Sequence, residues 1–217
     1  MNAVLPEIFS LSILIAAVIA IFRSGNSDNI YYPFFALIWI ATLNEILSII
    51  LVNSGSGVNI NNNIYVLAES LIILWFFKKV GTVLSNYLVF LIISISFILF
   101  WVTENFIISK ITFISSYFRI YYSFVIVILS ITTVNHLIVT QNKLLLKLPV
   151  FLISVGFIIY FTYKILVEAF WIYGLNDSPD FRSNVYAILV WLNLFVNLLF
   201  ALAILWIPRK REYILLF

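Results

Sequence analysis

Long apolar runs recur along the chain, separated by short polar breaks. They fall near residues 4–22, 30–53, 64–80, 83–103, 111–135, 148–173 and 185–207. Each approaches the roughly 20 residues that a helix needs to cross a hydrocarbon core about 30 Å thick. The breaks are built from residues that interrupt helices or favour water: RSGNSDN at 23–29, NSGSGVNINNN at 53–63, KKVGT at 78–82 and GLNDSPDFRSN at 174–184. The pattern predicts an all-α polytopic integral membrane helix bundle with seven transmembrane helices, a single domain over 1–217. The third run is short and also reads as a buried half-helix, so six spans is the rival count.

Composition removes the soluble alternative. Of the 217 residues, 64% are hydrophobic and only 10% charged, with a mean hydropathy of +1.15. Ordinary globular chains are roughly half apolar and about a quarter charged, so the bilayer must solvate most of this sequence. The apolar runs leave no stretch for a separate soluble domain. The first run carries Glu7 instead of a basic leader, and no small-residue cleavage site follows Phe22, so it reads as a span and not as a signal peptide. With no cysteine in the sequence, disulfides, thiolate metal sites and cysteine nucleophiles are excluded.

The basic residues set an orientation. With the N-terminus outside, the inner ends of the runs collect Arg23, Lys78, Lys79, Lys143, Lys147, Arg209, Lys210 and Arg211, and the outer ends only Lys110 and Arg182. The outer side also gathers Glu7, Glu104, Asp177 and Asp180. The expectation is N-out and C-in, in the plasma (inner) membrane of a bacterium. The net charge of +3 is explained by the inner face and calls for no nucleic acid. Pro208 is expected to end the last helix, with the basic tail against the anionic inner leaflet.

Five ionisable residues fall inside the runs: Glu45, Glu69, Arg119, Lys164 and Glu168. Each costs roughly 2.5–3.5 kcal/mol on insertion scales, so such residues normally face the bundle interior and pair. At about 1.5 Å per residue, Glu45 lies about 12 Å and Glu69 about 8 Å below the outer ends of their runs. Arg119, Lys164, Glu168 and Asn193 fall at similar depths. All six occupy one slab in the outer half of the membrane, and they come from five different runs.

Helical spacing narrows the slab to stripes. Asn62, Tyr65 and Glu69 share one face, as do Thr42, Glu45 and Ser48. Ser115, Arg119 and Tyr122 line up on the fifth run, Tyr160, Lys164, Glu168 and Trp171 on the sixth, and Asn193 with Asn197 on the seventh. The expected site is an outward-facing polar pocket for a small ligand or cation. Its residues are Glu45, Glu69, Tyr65, Arg119, Tyr122, Lys164, Glu168 and Asn193, built from runs two, three, five, six and seven. The competing reading is a set of interhelical locks, Arg119 with Glu45 or Glu69 and Lys164 with Glu168, of the kind worth about 0.6 kcal/mol on average. Three acids against two bases favours the pocket, because one carboxylate is left to be neutral or to bind a cation. Small-residue spacing at Ala16 and Ala20, and at Ala201 and Ala203, marks surfaces for close helix packing.

Several chemistries are disfavoured. His136 is the only histidine, so a nitrogen- or sulfur-rich zinc site cannot be assembled. Ser56, in SGSG, and His136 are expected on opposite sides of the bilayer, so they cannot form a hydrolytic dyad. The last run has no lysine for a retinal Schiff base, and no phosphate-binding loop of the Walker type occurs. No catalytic residue, metal site or cofactor is assigned. The sequence supports first a non-enzymatic sensor or regulatory membrane subunit that acts through a partner protein or as a homo-oligomer. The alternative is an ion- or proton-coupled transporter or an oligomeric channel. A third reading is a membrane enzyme acting on a lipid-type substrate with Glu69 or Glu45 as general base.

Overall fold

Apolar runs free of internal breakers fold as helices, and the polar breaks stop them. The computed structural model describes residues 11–25, 27–141, 144–173 and 179–208, and these contain seven α-helices. They are α1 (Ile13–Ser24), α2 (Tyr32–Asn53), α3 (Asn59–Val80), α4 (Tyr87–Val102), α5 (Ser116–Thr140), α6 (Pro149–Ile172) and α7 (Pro179–Trp206). Six stretches are long and apolar enough to cross a membrane: Asn29–Asn53, Asn59–Val80, Tyr87–Ile108, Ser116–Thr140, Pro149–Ile172 and Ala187–Trp206. α1 is a shorter apolar helix; the start of its expected span, 4–10, lies outside the described residues. The chain is a helical membrane bundle.

Local chemistry sets the ends. Pro33 and Pro149 sit in the first turns of α2 and α6, where a missing N–H costs nothing. Gly81 ends α3 at a φ of 77°, a left-handed conformation that glycine adopts without a Cβ clash. The Asn86 side chain accepts from Leu88 N–H at the start of α4. α7 stops at Trp206, two residues before Pro208. The Arg23 guanidinium donates to the carbonyl of Leu205, which places a positive charge on the orphan carbonyls of α7.

Among the boundaries that differ from the sequence expectation, two bear on the polar layer. α3 starts at Asn59 and not at 64, so this span is full length and no half-helix. Its asparagines stay helical because neighbours take their side chains. The Asn61 amide donates to Asn44 Oδ1 at 2.8 Å, and the Asn59 amide to the Thr112 carbonyl at 2.8 Å. α5 starts at Ser116 and not at 111, because residues 111–115 are held open by Asn63. The Asn63 amide donates to the carbonyls of Ile111 (2.9 Å) and Phe113 (2.6 Å), and its oxygen accepts from the Ser115 hydroxyl at 2.8 Å.

A further departure lies at the end of α4, which continues as a π-helical turn over Thr103–Ile108. This turn carries Glu104 inward. The sequence reading counted Glu104 among the acids of the outer side; in the structure it is 3% exposed. Its carboxylate accepts from the Tyr117 N–H at 3.0 Å and the Phe118 N–H at 2.5 Å, closing the N-terminus of α5. An anion at that position satisfies orphan amide groups and complements the helix dipole.

Helix neighbours run α1–α2–α3–α5–α6–α7 and back to α1, with α5 and α6 the most extensively packed pair. α4 lies outside this ring against α3 and α5, and Phe97 is its only buried residue. Ala16 and Ala20 of α1 and Ala203 of α7 are fully buried, with Ala201 nearly so, consistent with close α1–α7 packing. One end of the bundle carries the α2–α3 loop and the asparagines of α3. The other carries Arg23, Lys78, Lys79 and Lys147; Lys143, Arg209, Lys210 and Arg211 lie outside the described residues. Ser56 belongs to the first end and His136, in the last turns of α5, to the second.

Towards the lysine end the ring is filled by phenylalanines. Phe34, Phe76, Phe77, Phe157, Phe161 and Phe200 come from α2, α3, α6 and α7. Centroid separations are 5.3 Å for Phe34–Phe200, 5.5 Å for Phe157–Phe200 and 6.1 Å for Phe76–Phe157, all edge-on, the favoured aromatic geometry. Gly156 makes this contact possible, since a Cβ there would lie 2.5 Å from a ring carbon of Phe200.

Two stability effects follow. Gly156→Ala must displace the Phe200 ring and is expected to lower unfolding free energy by about 1–3 kcal/mol; thermal melting in detergent checks it, and an unchanged midpoint would show that the ring has room to move. Glu104→Ala leaves the N–H groups of Tyr117 and the buried Phe118 without their acceptor and is expected to cost about 1–3 kcal/mol, with amide exchange rising first at Tyr117 and Phe118.

Candidate functional site

The polar slab exists, but its internal pairing is not the one that stripe and depth suggest. Glu69 of α3 is 4% exposed and sits among three helices. Its Oε1 accepts from the Tyr65 hydroxyl at 3.0 Å. Its Oε2 accepts from the Tyr122 hydroxyl of α5 at 2.5 Å and from Lys164 Nζ of α6 at 3.1 Å. Lys164 also donates to the Tyr122 oxygen. A second ion pair lies one turn nearer the asparagine end, where Arg119 Nη1 meets Glu168 Oε1 at 3.3 Å.

The expected locks, Arg119 with Glu45 or Glu69 and Lys164 with Glu168, are therefore replaced by Lys164–Glu69 and Arg119–Glu168. The cause is helix register. α5 and α6 run antiparallel, so Arg119, in the first turns of α5, is level with Glu168, in the last turns of α6. Tyr122 and Lys164 then meet one turn deeper. Lys164 and Glu168 share one helix face, but the long lysine stem reaches across to Glu69. The five-residue shift in the start of α5 moves Arg119 towards the end of the bundle, which takes it out of reach of Glu69.

Beside the Glu69 cluster lies a cavity of about 80 Å³. Its polar wall comprises Glu45, Tyr65, Glu69, Tyr160, Asn193 and Asn197. Ile13, Leu37, Ile38, Ala41, Ile73 and Val196 supply aliphatic wall, and Phe157, Phe161 and Phe200 close it on the side of the phenylalanine cluster. The cavity thus belongs to α1, α2, α3, α6 and α7. Of the eight residues expected to line a pocket, Glu45, Tyr65, Glu69 and Asn193 do so. Arg119, Tyr122, Lys164 and Glu168 stand behind that wall, and α5 contributes through them without lining the space. Tyr160 and Asn197 complete the wall: both lie on the polar stripes legible in the sequence, yet only their helical spacing marked them.

The geometry separates two jobs. The Glu69–Lys164–Tyr122 contacts hold α3, α5 and α6 together, and all three side chains are buried. The cavity exposes the other face of the same acid, with Glu45 from α2 opposite. Asn197 is anchored by donating its amide to Ser12 Oγ at 2.8 Å, which leaves its carbonyl oxygen as an acceptor. Compared with known proteins, the chain matches no family model, no curated protein and no solved structure. The chemistry of the site therefore rests on its own geometry.

Removing one member of a buried pair should cost more than removing both. Lys164→Met alone is expected to destabilise by about 3–5 kcal/mol, and Lys164→Met with Glu69→Gln by less. A double-mutant cycle on thermal or denaturant unfolding in detergent reads the coupling; additive losses would remove the lock.

Proposed function

We propose that the chain is a non-enzymatic sensor or regulatory membrane subunit whose polar cavity binds a small ligand. The observation that carries this reading is the cavity's position, beside the charge cluster that ties α3 to α5 and α6, with packed phenylalanines across the lysine end. A ligand touching Glu69 changes the balance of the contacts that hold three helices in register. Its binding energy can then be passed to helix positions, which is what a receptor needs. The output would go to a protein partner or to a second copy of the chain.

In this reading the bundle has seven spans with the N-terminus outside, and the cavity is reached from the outer face of a bacterial inner membrane. Arg23, Lys78, Lys79 and Lys147 at one end support that orientation through the positive-inside tendency. A transporter is the second reading, favoured by the carboxylates at mid-bundle depth. The six phenylalanines count against it, since a path to the lysine end requires that cluster to separate. A lipid-acting enzyme has least support, because the carboxylate best placed as a base, Glu69, is committed to Lys164 and two tyrosines.

The cysteine-free sequence makes the tests clean. In intact cells, Ser56→Cys is expected to react with an impermeant maleimide, and Lys79→Cys only after permeabilisation; the reverse pattern would invert the topology. Asn193→Cys should react with a small cationic methanethiosulfonate added outside, and a thiol that stays unmodified there removes the cavity as a ligand site. In proteoliposomes no net flux of sodium, potassium or protons is expected; flux abolished by Glu69→Gln would favour the transporter.

A further inference from the structure

We infer that a groove at the lysine end of the bundle seats the headgroup of an anionic phospholipid. The groove, of about 460 Å³, lies where three helix ends meet: Tyr31 just before α2, Lys147 and Pro149 at the start of α6, and Trp206 with Pro208 at the end of α7. It shares no lining residue with the cavity beside Glu69, so what it seats is independent of what that cavity binds.

Charge decides the sign of the occupant. Among the described residues, Lys147 is the one charged residue that lines the groove. Its ammonium lies 5.8 Å from the Trp206 ring centroid, and no carboxylate of the described residues comes within ion-pair distance of it. Asp28 precedes the turn that carries Tyr31, but its side chain accepts from the Ile30 N–H and does not line the groove. A second positive charge stands close by, since the Arg23 guanidinium donates to the carbonyl of Leu205, next to Trp206 in the chain. An anion complements these two bases, whereas a zwitterionic headgroup brings a cation of its own beside Lys147.

The walls decide that the anion belongs to a lipid. Three leucines, Leu144–Leu146, run into Lys147 on the α5–α6 connection, and Leu144 and Leu146 are 69% and 65% exposed. Leucines left that open between two spans are solvated by the membrane and not by water. Leu144 also lines the groove. Trp206 and Tyr31 are residue types that collect at headgroup level, and a lysine stem lies along apolar surface while its ammonium reaches the polar layer. One ammonium for the phosphate and apolar walls for the glycerol and first methylenes match the basic pockets between spans that hold acidic headgroups. A soluble phosphate gains only the ammonium and leaves the apolar walls uncovered. A lipid seated here bridges the ends of α2, α6 and α7, three of the helices that also wall the Glu69 cavity.

The experiment is thermal unfolding of the full chain in a non-ionic detergent, with three additives titrated in turn. They are phosphatidylglycerol, phosphatidylcholine with the same acyl chains, and soluble glycerol phosphate. Phosphatidylglycerol is expected to raise the midpoint saturably, with the other two inert. Lys147→Gln should raise the half-saturating concentration of phosphatidylglycerol by about tenfold, as expected for loss of a hydrogen bond to a charged group. Lys147→Arg should keep the response, and so should Lys79→Gln, which removes an exposed charge from the same end of the bundle but outside the groove. An equal loss in Lys79→Gln and Lys147→Gln would show general attraction to the basic end and overturn the site. Equal stabilisation by phosphatidylcholine would make the groove an apolar seat without charge selection, and stabilisation by glycerol phosphate would make the ligand a soluble anion; either result overturns the inference. So does a midpoint that phosphatidylglycerol leaves unchanged.

Discussion

A carboxylate held inside an apolar bundle must be satisfied from all sides, and at Glu69 the partners arrive from separate helices. Tyr65 comes from its own helix, Tyr122 from α5 and Lys164 from α6. To keep all of these contacts, each helix must stay within hydrogen-bond reach of the same two oxygens. That requirement fixes the rotation of α3, α5 and α6 about their axes. Apolar contacts with lipid-grade neighbours could not, since one leucine face packs much like another.

The rest of the bundle follows from that registry. With Tyr122 level with Lys164, Arg119 comes level with Glu168, and the second ion pair forms one turn away. The start of α5 is then held by Glu104 from the π-helical turn and by Asn63 from α3. On the opposite side of Glu69, α2 and α7 do not close fully on α3, and the cavity occupies the gap. The phenylalanine cluster shuts the gap towards the lysine end. Binding surface and structural lock therefore share one residue, which is the arrangement that couples occupancy to helix position.

Much of this was legible in the residues. Hydropathy gave the helices, and counting along them brought Glu45, Glu69, Arg119, Lys164, Glu168 and Asn193 to similar depth. Pairing was not legible, because stripe and depth cannot set the relative register of two helices. A shift in the start of α5 was enough to exchange the partners of Arg119 and Lys164. The Asn59–Asn63 run read as a loop since asparagine favours turns; it stays helical only because α2 and the 111–115 segment take up its side chains. The burial of Glu104 was not legible either, because its partners are backbone N–H groups, which leave no mark in side-chain spacing.

The distance along the chain between Glu69 and its partners has a consequence for biogenesis. Tyr122 lies 53 residues downstream and Lys164 a further 42, 95 in all from Glu69. When α3 leaves the ribosome its carboxylate therefore has no counter-charge, and α3 is also the least apolar of the six long spans. The helix that organises the finished bundle is the one least able to settle in lipid alone. Its acid is matched only once α5 and α6 have followed, so a chain truncated before Lys164 would present the membrane-protein quality-control machinery with an unmatched acid.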